Sequence, residues 1–133
     1  DVARGFLHSH SYTGNALACR AAQAVLDRFA DDDVLTRNRV QAQALTAALA
    51  PLHDDARIEH VRQCGMIWAF DVREPFVGER FAERFHLAGR AHGLLIRPIG
   101  RTVYLMPPYV IEPADLTRLT AHVGAALAAT RSP

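Results

Sequence analysis

Arg97 follows the apolar run Leu94-Leu95-Ile96 and precedes Pro98, so its guanidinium is expected at the end of a buried strand. A charge placed there needs a partner. The planar fork of the side chain suits a substrate carboxylate and equally a structural Asp or Glu, and Tyr104 on the next strand either assists or packs. A second constellation is His8-Ser9-His10-Ser11-Tyr12-Thr13-Gly14-Asn15, where hydroxyls and a glycine stand immediately before an expected helix. Unpaired N–H groups at a helix start favour an anion, and phosphate is the natural guest. The same residues can instead cap the helix, and the two roles are compatible.

His8 and His10, two apart in an extended segment, share a face and could begin a metal site. No acidic residue or cysteine joins them at a familiar spacing, and the other histidines are scattered singly, so no metal is expected. Cys19 and Cys64 form no C-x-x-C pair and have no evident activating base, which makes both packing residues in a reducing cytoplasm.

All 15 basic residues other than histidine are arginine, and the chain contains no lysine. Reactions that need a side-chain amine as Schiff-base former therefore cannot be run by this polypeptide alone. The 15 basic and 14 acidic residues leave a net charge of +1, which offers no electrostatic footprint for nucleic acid or an anionic membrane. No apolar run reaches the length of a membrane span, and the start at Asp1 reads as a cut within a longer protein.

The elements that must position these residues follow from periodicity. Asn15 caps a helix with apolar positions at Leu17, Ala21, Val25 and Phe29. Asp31 to Asp33 opens a second helix carrying Ala42, Leu45, Leu49 and Leu52, with Pro51 loosening its end. Ile58 to Gln63 and Met66 to Val72 read as two strands joined near Gly65. Phe81, Phe85 and Ala88 mark a third helix ended by Gly93. Residues 94–96 and 102–106 are expected to pair as strands around Gly100, with Pro107-Pro108 stopping the second. Pro113 opens a closing helix that buries Leu116, Leu119, Val123 and Leu127. The order α-α-β-β-α-β-β-α describes an α+β layer, a small and mainly antiparallel sheet with helices packed on it.

Three stretches carry a family resemblance. His8 to Arg20, H-S-H-S-Y-T-G-N-A-L-A-C-R, resembles the segment by which class III pyridoxal-phosphate aminotransferases enter their C-terminal domain. Gly93 to Tyr109, G-L-L-I-R-P-I-G-R-T-V-Y-L-M-P-P-Y, looks like the signature region of the biotin-synthesis branch of that class, which moves an amino group from S-adenosylmethionine to 8-amino-7-oxononanoate. Val61 to Val72 follows the family's strand pair.

The resemblance implies the small C-terminal domain of a fold-type I, pyridoxal-5'-phosphate-dependent enzyme, cytoplasmic and homodimeric, with residues 1–14 as a leading phosphate-binding segment and 15–133 as the domain. It places a cofactor phosphate of the neighbouring subunit on Ser11, with His10 contributing backbone, and the substrate carboxylate on Arg97 with Tyr104 beside it. Ser9 falls at a substrate-facing position where the family commonly has glycine, a departure that puts close backbone approach of substrate there in question. It also implies that the Schiff-base lysine and the cofactor-ring pocket lie upstream of Asp1, leaving this chain a binding role and no catalytic residue of its own. The competing readings are another class III ω-aminotransferase, which should lack the Arg97 to Tyr109 pattern, and a free-standing module that recognises a small carboxylate.

Overall fold

Strand alternation decides which way the sheet faces. In the computed structural model, which describes residues 11–130, β1 (Ile58–Cys64), β2 (Ile67–Val72) and β3 (Thr102–Leu105) form an antiparallel sheet in the order β1-β2-β3. Trp68, Phe70 and Val72 on β2, with Val103 and Leu105 on β3, turn to one face and are almost wholly buried. The period of two puts Asp71, Thr102 and Tyr104 on the other face, each half-buried.

The helices covering the buried face carry apolar residues at helical spacing. Leu45, Leu49 and Leu52 of α2 (Val34–His53), Phe81 and Phe85 of α3 (Phe81–Ala91), and Leu116, Val123 and Leu127 of α4 (Pro113–Ala129) complete the core around Trp68 and Phe70. Each fully buried side chain of this size contributes about 1.5–3 kcal/mol by leaving water. Pro51 is carried inside α2, and Pro113 stands in the first turn of α4, where its missing N–H costs nothing.

Preceding these, α1 (Ala16–Asp31) starts at Asn15, whose Oδ1 accepts from the Ala18 N–H at 3.0 Å. The cap is as expected. None of the residues of α1 is buried; Leu17 and Val25 of its apolar stripe are exposed, as is Leu26 beside them. By its contacts the chain divides into two compact units, 1–36 and 37–133.

Two expectations are corrected. Residues 94–96 form no strand with β3; they lie outside the sheet without regular secondary structure, and one isolated bridge, Ile99 to Thr102, remains of the expected pairing. The backbone groups are already committed: the Leu94 N–H donates to the Gly89 carbonyl at 2.8 Å, and the Ile96 carbonyl accepts from a ring nitrogen of His86 at 2.8 Å. Pro98 has no N–H to offer a ladder. Cys19 and Cys64, expected as packing residues, are both exposed free thiols.

Candidate functional site

The segment that carries Arg97 is launched by the end of α3. Gly93 adopts φ 75°, the left-handed conformation that ends a helix most cheaply with glycine. The Gly93 N–H donates to the Arg90 carbonyl at 3.1 Å and the Leu94 N–H to the Gly89 carbonyl, the paired closure of a Schellman motif. The chain from Leu94 to Pro98 then takes no regular secondary structure, and the proline itself biases Arg97 away from helix. Ile96 points inward and is 7% exposed. A two-residue turn, with Gly100 at φ 58°, reverses the chain through reciprocal bonds between Ile99 and Thr102 and delivers it into β3.

This path leaves a cleft between residues 93–97 and the end of β3. The cleft has a volume of about 380 Å³ and is lined by Arg97 and Tyr104 together with Leu94, Met106, Ile111 and Leu119, among others. Its size is that of a small-ligand pocket, and its wall is apolar apart from a few polar groups. The structure thus brings together the two residues singled out on adjacent segments.

The expectation of a buried Arg97 is corrected. The side chain is exposed, and among the described residues it makes no ion pair or hydrogen bond. No Asp or Glu lines the cleft beside it, and the two carboxylates at the heart of the sheet's ion-pair network, Glu59 and Asp71, are engaged elsewhere. Glu59 accepts from Arg73 at 2.9 Å and Arg101 at 2.6 Å, and the Arg101 hydrogen bond holds its carboxyl below the usual range. Asp71 accepts from Thr102 at 2.7 Å, Arg62 at 3.1 Å and His60 at 3.2 Å. Burial alone would raise the Asp71 carboxyl, but those three hydrogen bonds outweigh it and hold it low.

Glu59 and Asp71 are direct cross-strand partners, and the arginines around them offset what would be a repulsive pair. His60 lies where the register of β1 shifts, at φ 51°, an irregularity on the edge strand of the sheet.

Ser11 lies in a turn, residues 11–14, directly before the Asn15 cap, and is exposed. The Asn15 side chain takes the Ala18 N–H, which leaves the N–H groups of Ala16 and Leu17 in the first turn without an intrahelical acceptor. Hydroxyl and backbone donors at a helix start match the chemistry of a phosphate. Ser9 and His10 lie outside the described residues. Among the described residues, no group of three or more His, Cys, Asp or Glu is placed to hold a metal ion, and no helix is long and apolar enough to cross a membrane.

His86, one of the histidines scattered singly along the sequence, belongs to this site through its bond to the Ile96 carbonyl. Its position three residues before the buried Gly89 on α3 was the available signal, but the bond to Ile96 spans 10 residues and depends on the turn between them.

The aminotransferase class-III family model matches residues 2–127. Adenosylmethionine-8-amino-7-oxononanoate aminotransferase of Helicobacter pylori is 40% identical over 126 residues, covering 89% of this chain and 28% of that protein. The enzyme of the same name from Nitratidesulfovibrio vulgaris is 38% identical, covering 96% of this chain and 25% of that protein. Among solved structures, the adenosylmethionine-8-amino-7-oxononanoate aminotransferase of Methanocaldococcus jannaschii superposes with a TM-score of 0.79 at 25% identity, over 92% of this chain and 30% of that one. An (S)-enantioselective omega-transaminase from Thermomicrobium roseum shares the fold, with a TM-score of 0.80 at 23% identity over 96% of this chain and 30% of that one. The chain spans between a quarter and a third of the length of these relatives. With nearly its whole length matched by the family model, this chain belongs to the class III aminotransferases.

Proposed function

We propose that the chain is the C-terminal domain of a pyridoxal-phosphate-dependent aminotransferase of biotin synthesis, which transfers an amino group from S-adenosylmethionine to 8-amino-7-oxononanoate. The observation that carries this reading is the unpaired Arg97 guanidinium beside Tyr104 in a largely apolar cleft. An acceptor with a carboxylate on a methylene chain matches both halves of that surface. Arg97 takes the carboxylate through its fork, the Tyr104 hydroxyl donates a further hydrogen bond, and Leu94, Met106, Ile111 and Leu119 exclude water from the methylenes. The similarity to enzymes named for this acceptor supports the same assignment.

Pyridoxal phosphate, when bound, supplies the aldehyde that carries the amino group between donor and acceptor. This chain has no lysine to hold it and contributes donors instead. We assign the cofactor phosphate to Ser11, His10 and the first-turn N–H groups of α1, acting toward the partner subunit of a homodimer, and Ser9 to the substrate side of that loop. Residues 1–14 form the leading segment and 15–133 the domain in this reading. Two free thiols accord with a reducing cytoplasm.

The test is turnover by the whole protein that contains this chain, comparing S-adenosylmethionine as donor to 8-amino-7-oxononanoate with a short ω-amino acid as donor to a 2-oxo acid. Preference for 8-amino-7-oxononanoate is the expected result. Efficient use of the ω-amino acid system with none of the keto acid would assign the domain to another branch of the class.

A further inference from the structure

Arg97 can present its guanidinium to a ligand only if its backbone holds still, and it lies on a segment that belongs to no sheet. Between the Leu94 N–H, which closes α3, and the Ile99 bridge to β3, hydrogen bonds from the backbone are absent among the described residues. One side chain fills that gap. His86, half-buried on α3, places Nδ1 2.8 Å from the carbonyl oxygen of Ile96, the residue directly before Arg97. A carbonyl only accepts, so Nδ1 carries the proton, and in the neutral ring Nε2 is the unprotonated nitrogen.

The same face of α3 holds the segment at two further points. Gly89 accepts the Leu94 N–H and is itself buried against Leu94, where a Cβ on Gly89 would lie 3.6 Å from that of Leu94. The Ile96 side chain is packed into the core, whereas its neighbours Leu95 and Arg97 on either side are exposed. Pro98 restricts Arg97 from the other side. The Ile96 peptide unit is thus anchored by its side chain below and by His86 at its carbonyl.

Resting on the reading of Arg97 as the carboxylate ligand, we infer that His86 is a positioning residue for substrate binding, acting through the Ile96 carbonyl to fix the peptide plane that leads into Arg97. The bond touches neither substrate nor cofactor. Its loss lets residues 95–97 explore other backbone conformations, so the guanidinium fork meets the carboxylate in fewer of them and binding weakens before chemistry does.

The experiment is steady-state kinetics of the whole enzyme carrying His86→Leu, His86→Asn, Arg97→Ala and the double variant His86→Leu/Arg97→Ala. Leucine keeps helix propensity and bulk without a donor, whereas the asparagine amide can occupy the position of Nδ1. His86→Leu should raise the Michaelis constant for 8-amino-7-oxononanoate roughly three- to tenfold, the range of one neutral hydrogen bond. The constant for S-adenosylmethionine and kcat should change little, and His86→Asn should recover most of the loss. In the Arg97→Ala background, His86→Leu should add nothing, because the group it positions is gone.

If Arg97→Ala raises the keto-acid constant and His86→Leu does not, or if the two effects simply add, the positioning role is wrong while the carboxylate reading stands. An unchanged keto-acid constant in Arg97→Ala overturns both. Should His86→Leu fail to fold, His86→Ala gives the same comparison with less bulk to place.

Discussion

Arg97→Ala separates a binding arginine from a structural one because the two roles predict opposite results in two measurements. The side chain is exposed and makes no bond among the described residues, so its removal breaks nothing internal. Substitutions at such positions change stability by about 0.5 kcal/mol or less. Hydrogen bonds to a charged group contribute about 1.5–3 kcal/mol, which corresponds to a rise of roughly 10- to 150-fold in the Michaelis constant for the keto acid. Arg97→Lys keeps the charge and loses the planar fork, and should fall between wild type and alanine.

Urea unfolding gives the first measurement, and initial rates against both substrates give the second. Stability should be unchanged, the keto-acid constant should rise, and the S-adenosylmethionine constant should stay nearly fixed. A stability loss above about 1 kcal/mol with normal kinetics would return Arg97 to a structural role, since it lies well outside the range for a free surface side chain. Equal increases for both substrates would refute the assignment to the keto acid alone.

Two further outcomes follow. Ser11→Asp sets a negative charge against the cofactor phosphate and should cripple cofactor binding in the whole enzyme; activity should return in verified mixed dimers with a subunit that lacks the Schiff-base lysine but keeps Ser11, and no recovery would refute a site shared between subunits. Asp71 is held below the ordinary carboxylate value by its hydrogen bonds, so its stabilising contribution is complete above that value and is lost as the pH falls through the lower, folded-state one. The melting temperature of Asp71→Asn should therefore lie below wild type near neutrality and converge with it in strong acid, and a gap independent of pH would show that the charge is not what matters.

How far the residues announce the structure varies from element to element. The core faces of α2 and α4 were legible because Leu45, Leu49 and Leu52, and Leu116, Val123 and Leu127, repeat at helical spacing, and burial follows from that repeat. Asn15 was legible as a cap for a local reason, its side chain reaching only three residues ahead. The exposure of the cysteines is not legible locally, because it depends on what covers a helix face or strand end, which neighbouring residues do not encode. At the site, residue type and position single out Arg97 and Tyr104, but they do not encode the exposure of Arg97 or the bond of His86 to the Ile96 carbonyl.

The sequence alone determined what the chain cannot supply and where its local signals lie. Without lysine there is no side-chain amine, and Gly93, Pro98 and Gly100 impose the turns on either side of Arg97 through their own backbone chemistry. Only tertiary structure decided that residues 94–96 leave the sheet. Their N–H and C=O groups can satisfy β3 or α3, not both, and the outcome rests on the end of α3, on the buried Ile96 and on the His86 ring. Local propensity favours a strand in such an apolar run, but propensity is silent on a competition between partners far apart in the chain. That competition, resolved in favour of α3, opens the cleft and turns Arg97 out to its edge.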